Sequence, residues 1–199
     1  LSGLVGFKPT QRRVPRDGVV PLSPTLDAVG VLARSVGCCA VLDGVLAGDE
    51  PRSPQPLARP PRLAVPQNYV FGDVDETVQA AFDRASTRLA AAGAELVPVD
   101  VPALDRIPDM NSGGGFAAAE AFAWHADLIA ARGSEYDPRI LTRIRRGERQ
   151  TARDLIELHA RRAELIDEVR AGLAGFDGLA CPTVPVVAPA LDALVDEDE

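Results

Sequence analysis

The sequence predicts an α/β fold, with strands flanked by helices, and three observations carry that expectation. Two short apolar strands, 62–66 and 95–99, bracket an amphipathic helical stretch, which is the pattern of a βαβ crossover. Beyond residue 115 the apolar spacing becomes helical for some sixty residues and then returns to an apolar strand near 178–183. The 199 residues are 46% hydrophobic and 25% charged, enough for one globular domain with a core or two small ones. That balance excludes a collagen-like, coiled-coil or wholly disordered chain. No apolar run reaches the roughly 18 residues a membrane span needs.

Taken in order, Leu4 to Thr10 reads as a short buried strand that Pro9 stops, because proline cannot extend a ladder. Asp17-Gly18 reads as a tight turn into a second strand at Val19-Val20. Ser35 to Gly48 reads as a helix with an apolar surface almost all round, hence a buried one. Pro51, Pro54, Pro56, Pro60 and Pro61 make 49–61 an extended linker. In the βαβ unit, Val78, Ala81, Phe82, Ala85 and Leu89 recur at steps of three and four over Val74–Ala92, and Gly93 sits where the helix should stop. The two bracketing strands should therefore be parallel and joined by a right-handed crossover. Further helices are expected over 116–132, 138–146 and 151–174. The acidic stretch 192–199 reads as a loop or frayed end.

Charge narrows the partners. There are 21 basic and 29 acidic residues, a net charge of −8, which disfavours nucleic acid and anionic membrane surfaces. Cys38, Cys39 and Cys181 cannot close a disulfide set, and the adjacent pair reads as two buried thiols in a reducing, cytoplasmic compartment. The opening residues have neither the charged region nor the cleavage site of a secretory signal. With no initiating Met and a strand-like start, the chain is expected to have been cut from something longer.

Few residues suggest chemistry. His125 and His159 have no second histidine at metal-ligand spacing, and each reads first as a packing or surface residue. Pairing either with Cys181 as a nucleophile is disfavoured, since a thiolate in an apolar strand is costly. Asn111-Ser112-Gly113-Gly114-Gly115 precedes a helix and could hold an anion on backbone N–H groups. It is not a dinucleotide or Walker loop, so a plain loop with Ser112 near the cap is the simpler reading. Arg143-Ile144-Arg145-Arg146-Gly147-Glu148-Arg149 is the densest basic run. On a helix Arg139, Arg143 and Arg146 share a face; that face is either solvated or turns one guanidinium inward to grip a carboxylate or carbonyl. Glu157, Glu164, Asp167 and Glu168 with Arg161, Arg162 and Arg170 read as exposed ion pairs. No triad, metal cluster or phosphate loop emerges from the residues alone, and no cofactor is expected.

The first block is more specific. Leu1-Ser2-Gly3-Leu4-Val5-Gly6-Phe7-Lys8-Pro9-Thr10, then Arg13-Val14, Gly18-Val19-Val20-Pro21, Leu26-Asp27-Ala28-Val29-Gly30 and Ala33-Arg34, resembles the stretch after the nucleophile in the amidase signature family. Ala119-Glu120-Ala121-Phe122-Ala123-Trp124-His125, Tyr136-Asp137-Pro138-Arg139, Arg143-Ile144 with Gly147, and Asp177 with Pro182-Thr183-Val184-Pro185 and Ala188-Pro189 resemble that family's C-terminal half in the same order.

The resemblance implies part of an α/β/α fold with a mixed sheet flanked by helices. It also implies hydrolysis of an amide carbon–nitrogen bond by a Ser–cis-Ser–Lys triad lying outside this chain. Lys8, the only lysine, matches a non-catalytic element, as does Ser2. No catalytic residue is therefore assigned here, and Arg143 is the expected substrate-binding residue. Residues 1–199 are expected to form one incomplete domain: 1–61 as the post-nucleophile segment and linker, 62–110 as the βαβ unit, and 111–199 as helices with a returning strand. A small-molecule amide is the expected partner, with a homodimer allowed for. A non-catalytic small-molecule-binding module and a pseudoenzyme descended from an amidase remain as alternatives.

Overall fold

The computed structural model describes residues 3–191. In chain order the elements are β1 (Val5–Phe7), β2 (Val31–Ala33), α1 (Val36–Ala47), β3 (Arg62–Pro66), α2 (Glu76–Ala91), β4 (Glu95–Val99), α3 (Ile107–Asn111), α4 (Gly115–Arg132), α5 (Pro138–Arg145), α6 (Ala152–Gly172) and β5 (Gly178–Leu179). Short 3₁₀ turns cover Pro102–Arg106, Gly133–Glu135 and Arg146–Arg149. The fold is α/β, as expected. Contacts group the described residues into two compact units: 56–105 with 165–191, and 3–55 with 106–164. The acidic stretch 192–199 lies outside the described residues.

The first unit is built on a three-stranded sheet in the order β4-β3-β5, parallel throughout. The pairing runs in register from Arg62↔Glu95 to Pro66↔Val99, so the two strands that bracket α2 are parallel, as predicted. As the central strand, β3 is the most buried: Ala64 is 0% exposed, with Val65, Ala94, Val101 and Ala103 also in the core. Asp75 caps α2 by accepting from Val78 N at 2.7 Å, and Gly93 follows the helix with φ 97°. The Asp75 carboxylate also accepts from Val187 N at 2.7 Å, tying the segment after β5 to the start of α2. The returning strand is shorter than expected, 178–179 instead of 178–183, because Pro182 offers no N–H to a ladder.

A second carboxylate clamps the same sheet. Asp177, just before β5, accepts from Arg62 N at 2.7 Å and from the Arg59 guanidinium at 2.5 and 2.9 Å. The Arg59 bond, followed by that from Arg62 N, holds the Asp177 pKa below its ordinary value. Arg62 in turn lies over the Phe176 ring, 4.5 Å from its centroid.

The second unit pairs β1 with β2 antiparallel, Gly6 opposite Leu32. This corrects the expected strand at 19–20. The Asp17-Gly18 turn does form, with Val19 N donating to Arg16 O at 3.1 Å, but Val19 and Val20 are exposed and unpaired among the described residues. The partner of β1 is the later segment 31–33, and Pro9 limits β1 to residues 5–7.

Ser35 caps α1 through Cys38 N, and Gly48 ends it in the left-handed region at φ 75°. The helix is not buried all round: Val36, Val41, Leu42, Val45 and Leu46 are exposed. Of the adjacent thiols only Cys39 is buried, with its Sγ 3.4 Å from Val5 O; Cys38 faces outward, correcting the expectation of two buried cysteines. Helices α4 and α5 enclose a small core of Ala121, Ile129 and Ile144, backed by Phe122, Tyr136 and Leu141. Gly147 lets the 3₁₀ turn after α5 approach α4 closely, since a Cβ there would stand 2.0 Å from Ala118 O. Among the described residues no helix is long and apolar enough to cross a membrane.

Candidate active site

The sequence-predicted arginine lies in the second unit, near the end of α5. Asp137 caps that helix; the bond from the Arg139 guanidinium, followed by that from Arg139 N at 2.9 Å, lowers the Asp137 pKa to about 2. Pro138 at the first position suits a helix start. Three residues after Ile140, Arg143 borders a cavity of about 510 Å³. Its apolar lining comes from Leu22, Ala117, Ala118, Ala121, Ile140 and Ile144, and its polar lining from Asn111, His125, Tyr136, Arg143 and Arg146. Among the described residues no carboxylate lines it. Arg143 is solvent-exposed, on the rim of the cavity.

The cavity joins residues that sequence reasoning had kept apart. His125 Nδ1 and the Tyr136 hydroxyl are 2.7 Å apart, so each orients the other. The Trp124 ring packs edge-on against His125 at 4.5 Å. Of the arginines expected on one face, Arg143 and Arg146 both line the cavity, whereas Arg139 is engaged by Asp137. His159 is elsewhere in the unit, edge-on to Phe116 at 4.7 Å. Cys181, half-buried after β5, has its thiol pKa raised by that burial, which makes a thiolate nucleophile costlier. Lys8 donates to Pro9 O at 3.1 Å. Among the described residues no group of three His, Cys, Asp or Glu side chains could hold a metal ion.

The glycine-rich loop borders a separate cavity of about 500 Å³, where Arg146, Arg149 and Arg161 meet Asp109, Asp154 and Glu157. Ser112 donates to Asp109 O at 2.8 Å, and Gln150 Nε2 donates to the Gly113 and Gly115 carbonyls at 2.9 and 3.1 Å. Further along α6, Asp167 pairs with Arg170 at 3.8 Å, as expected for a surface ion pair, whereas Glu157 pairs at 2.8 Å with Arg153, outside the expected set.

One important carboxylate carried no sequence signal of its own. Glu120, on α4, accepts from Ser23 Oγ at 2.6 Å, from Thr25 N at 3.0 Å and from the Thr25 hydroxyl. Its pKa is lowered overall: partial burial is the largest single influence and pushes it up, but the bonds from Ser23 and Thr25, with the charge of His159, outweigh it. The donors lie about 95 residues away in sequence, so no local spacing points to them.

The fold agrees with comparison to known proteins. The Amidase family model matches residues 1–199, and the chain belongs to that family. The 2-amino-5-chloromuconic acid deaminase of Comamonas testosteroni is 33% identical over 198 residues, covering 96% of this chain and 42% of that protein. An indoleacetamide hydrolase of Agrobacterium vitis is 38% identical over 120 residues, covering 60% of this chain and 25% of its own length. Among solved structures, a crystal structure of an amidase superposes with a TM-score of 0.85 at 30% identity, over 95% of this chain and 42% of that one. The chain thus spans less than half the length of these relatives.

Proposed function

We propose that this chain is part of an amidase that hydrolyses the carbon–nitrogen bond of a small amide, with its Ser–cis-Ser–Lys triad lying outside these residues. The family match along the whole chain carries this reading. In that mechanism a neutral lysine, acting through the bridging serine, takes the proton of the nucleophilic serine. The serine oxygen attacks the amide carbon, and backbone N–H groups stabilise the tetrahedral oxyanion. The amine leaves with a proton, and water then hydrolyses the acyl-enzyme ester. Residues 1–199 would form one incomplete amidase-signature domain, working in the cytoplasm, where free thiols such as Cys38, Cys39 and Cys181 persist.

This chain's part is to shape and hold the substrate. The cavity offers an apolar lining for the body of the amide together with the guanidinium groups of Arg143 and Arg146. Arg143 would bind the polar end of the substrate, a role suited to its forked donors. His125 and Tyr136 would fix the pocket wall between them.

The test compares the intact protein that contains this chain with residues 1–199 alone, measuring ammonia release from propionamide, benzamide and indoleacetamide. The intact protein should hydrolyse at least one, and the 199 residues none above background. In the intact protein Arg143→Ala should raise KM by roughly ten- to a hundredfold, the loss of one charge-assisted hydrogen bond, and lower kcat less. Binding without turnover by the intact protein would instead support the non-catalytic or pseudoenzyme alternative.

A further inference from the structure

We propose that Glu120 is a positioning residue for substrate selection: its carboxylate fixes the turn at 22–27 so that Leu22 forms one wall of the Arg143 cavity. The inference rests on reading that cavity as the amide pocket.

The turn is braced from within. Asp27 accepts from Leu22 N at 3.1 Å and from Ser23 N at 3.0 Å, and Ser23 O accepts from Leu26 N and Asp27 N, both at 2.7 Å. From the same stretch of chain, Gln11 donates to Thr25 O at 2.6 Å and Arg16 to Pro24 O at 2.7 Å. These contacts give the turn a shape but do not place it against the cavity. Glu120 does, because it takes three donors from the turn and sits on α4 between Ala117 and Ala121, both of which line the cavity.

The consequence falls on Leu22. It lines the cavity while being 60% exposed, so few contacts of its own hold it there. Its neighbour Ser23 is 2% exposed, with its hydroxyl committed to Glu120. That burial also rules Ser23 out as a nucleophile, since no substrate carbon could reach its oxygen. Anchoring Ser23 therefore anchors Leu22, and a fixed apolar wall discriminates between amides by size as a mobile one cannot.

The experiment uses the intact protein with propionamide as the small amide and benzamide as the large one. Glu120→Gln keeps the shape but loses the charge and one acceptor oxygen. It should change the benzamide to propionamide ratio of kcat/KM by about tenfold, mainly through KM. Leu22→Ala should shift the ratio in the same direction, and the double variant no further than either single one. Hydrogen exchange should quicken at the Thr25 amide in Glu120→Gln and remain unchanged there in Leu22→Ala. Equal loss on both amides with a lowered thermal midpoint, or additive single effects, would reduce Glu120 to a structural residue and overturn the proposal. Equilibrium dialysis of benzamide reads the same selection if nothing is hydrolysed. An unchanged Kd in Glu120→Gln then overturns the positioning role alone. A failure of the unaltered protein to bind benzamide overturns the pocket reading on which the role rests.

Discussion

The three-stranded sheet and the stretch from β1 to α1 are similarly apolar in sequence, yet they bury their residues very differently. In the sheet, β3 has a parallel neighbour on each side, and its central residue Ala64 is wholly buried. In α1, five large apolar residues remain exposed and only Cys39, Asp43 and Gly44 are buried. The difference lies in where the partners come from. A βαβ crossover brings strand to strand within forty residues, so the pattern that makes the elements also supplies their cover. An all-round apolar helix specifies only that cover is favourable, not which segment provides it.

The largest expected effect tests the sheet side of that contrast. Ala64→Asp would place a carboxylate in the centre of β3 with no partner prepared for it, costing about 4 kcal/mol, a large part of the stability of a domain this size. The check is the urea midpoint followed by circular dichroism. A shift no larger than that of a surface substitution would mean that the sheet core is open, and the comparison would collapse.

A smaller effect concerns the carboxylate that joins β5 to β3. Because the Asp177 pKa is depressed in the folded protein, its contribution to stability is present above the ordinary value of 3.8 and is lost as the pH falls through the lower folded value. Asp177→Asn should therefore be less stable than the parent near pH 6, and the gap should close as the pH falls below about 4. Urea midpoints of both proteins from pH 6 to pH 3 would measure it. A gap independent of pH would assign the loss to packing of the side chain rather than to its charge.

The same contrast explains what could be read from the sequence. Strands 62–66 and 95–99, the helix between them, and helices α4 to α6 follow from spacing, prolines and glycines, because each signal acts within a few turns. The pairing of β1 with Val31–Ala33 does not, since more than twenty residues and no hairpin turn separate the two. Val19-Val20 had the better strand composition and a genuine turn before it, but has no strand partner among the described residues. At the candidate site the arginine run singled out Arg143 and Arg146, because dense charge is visible in any sequence. His125 draws notice in the sequence, and Glu120 and Tyr136 stand in the blocks that carry the resemblance. The pairings of His125 with Tyr136 and of Glu120 with Ser23 and Thr25 are not legible there, because folding alone supplies the other half.

The smallest effect tests the helix side. Val45 is 58% exposed and lies in the last turn of α1. Val45→Lys replaces a β-branched residue with a better helix former and places a positive charge near the helix C-terminus, where the backbone dipole favours it. Little apolar surface is returned to water, so in residues 1–199 the thermal midpoint should hold or rise, with a change within about 0.5 kcal/mol. The same substitution in the longer amidase proposed above gives the sharper answer. If the apolar face of α1 stays open there, Val45→Lys should be as harmless as in the shorter chain. A loss approaching that of Ala64→Asp would show that another segment covers the helix, and that the contrast between sheet and helix reflects the residues present rather than a lasting difference between the two regions.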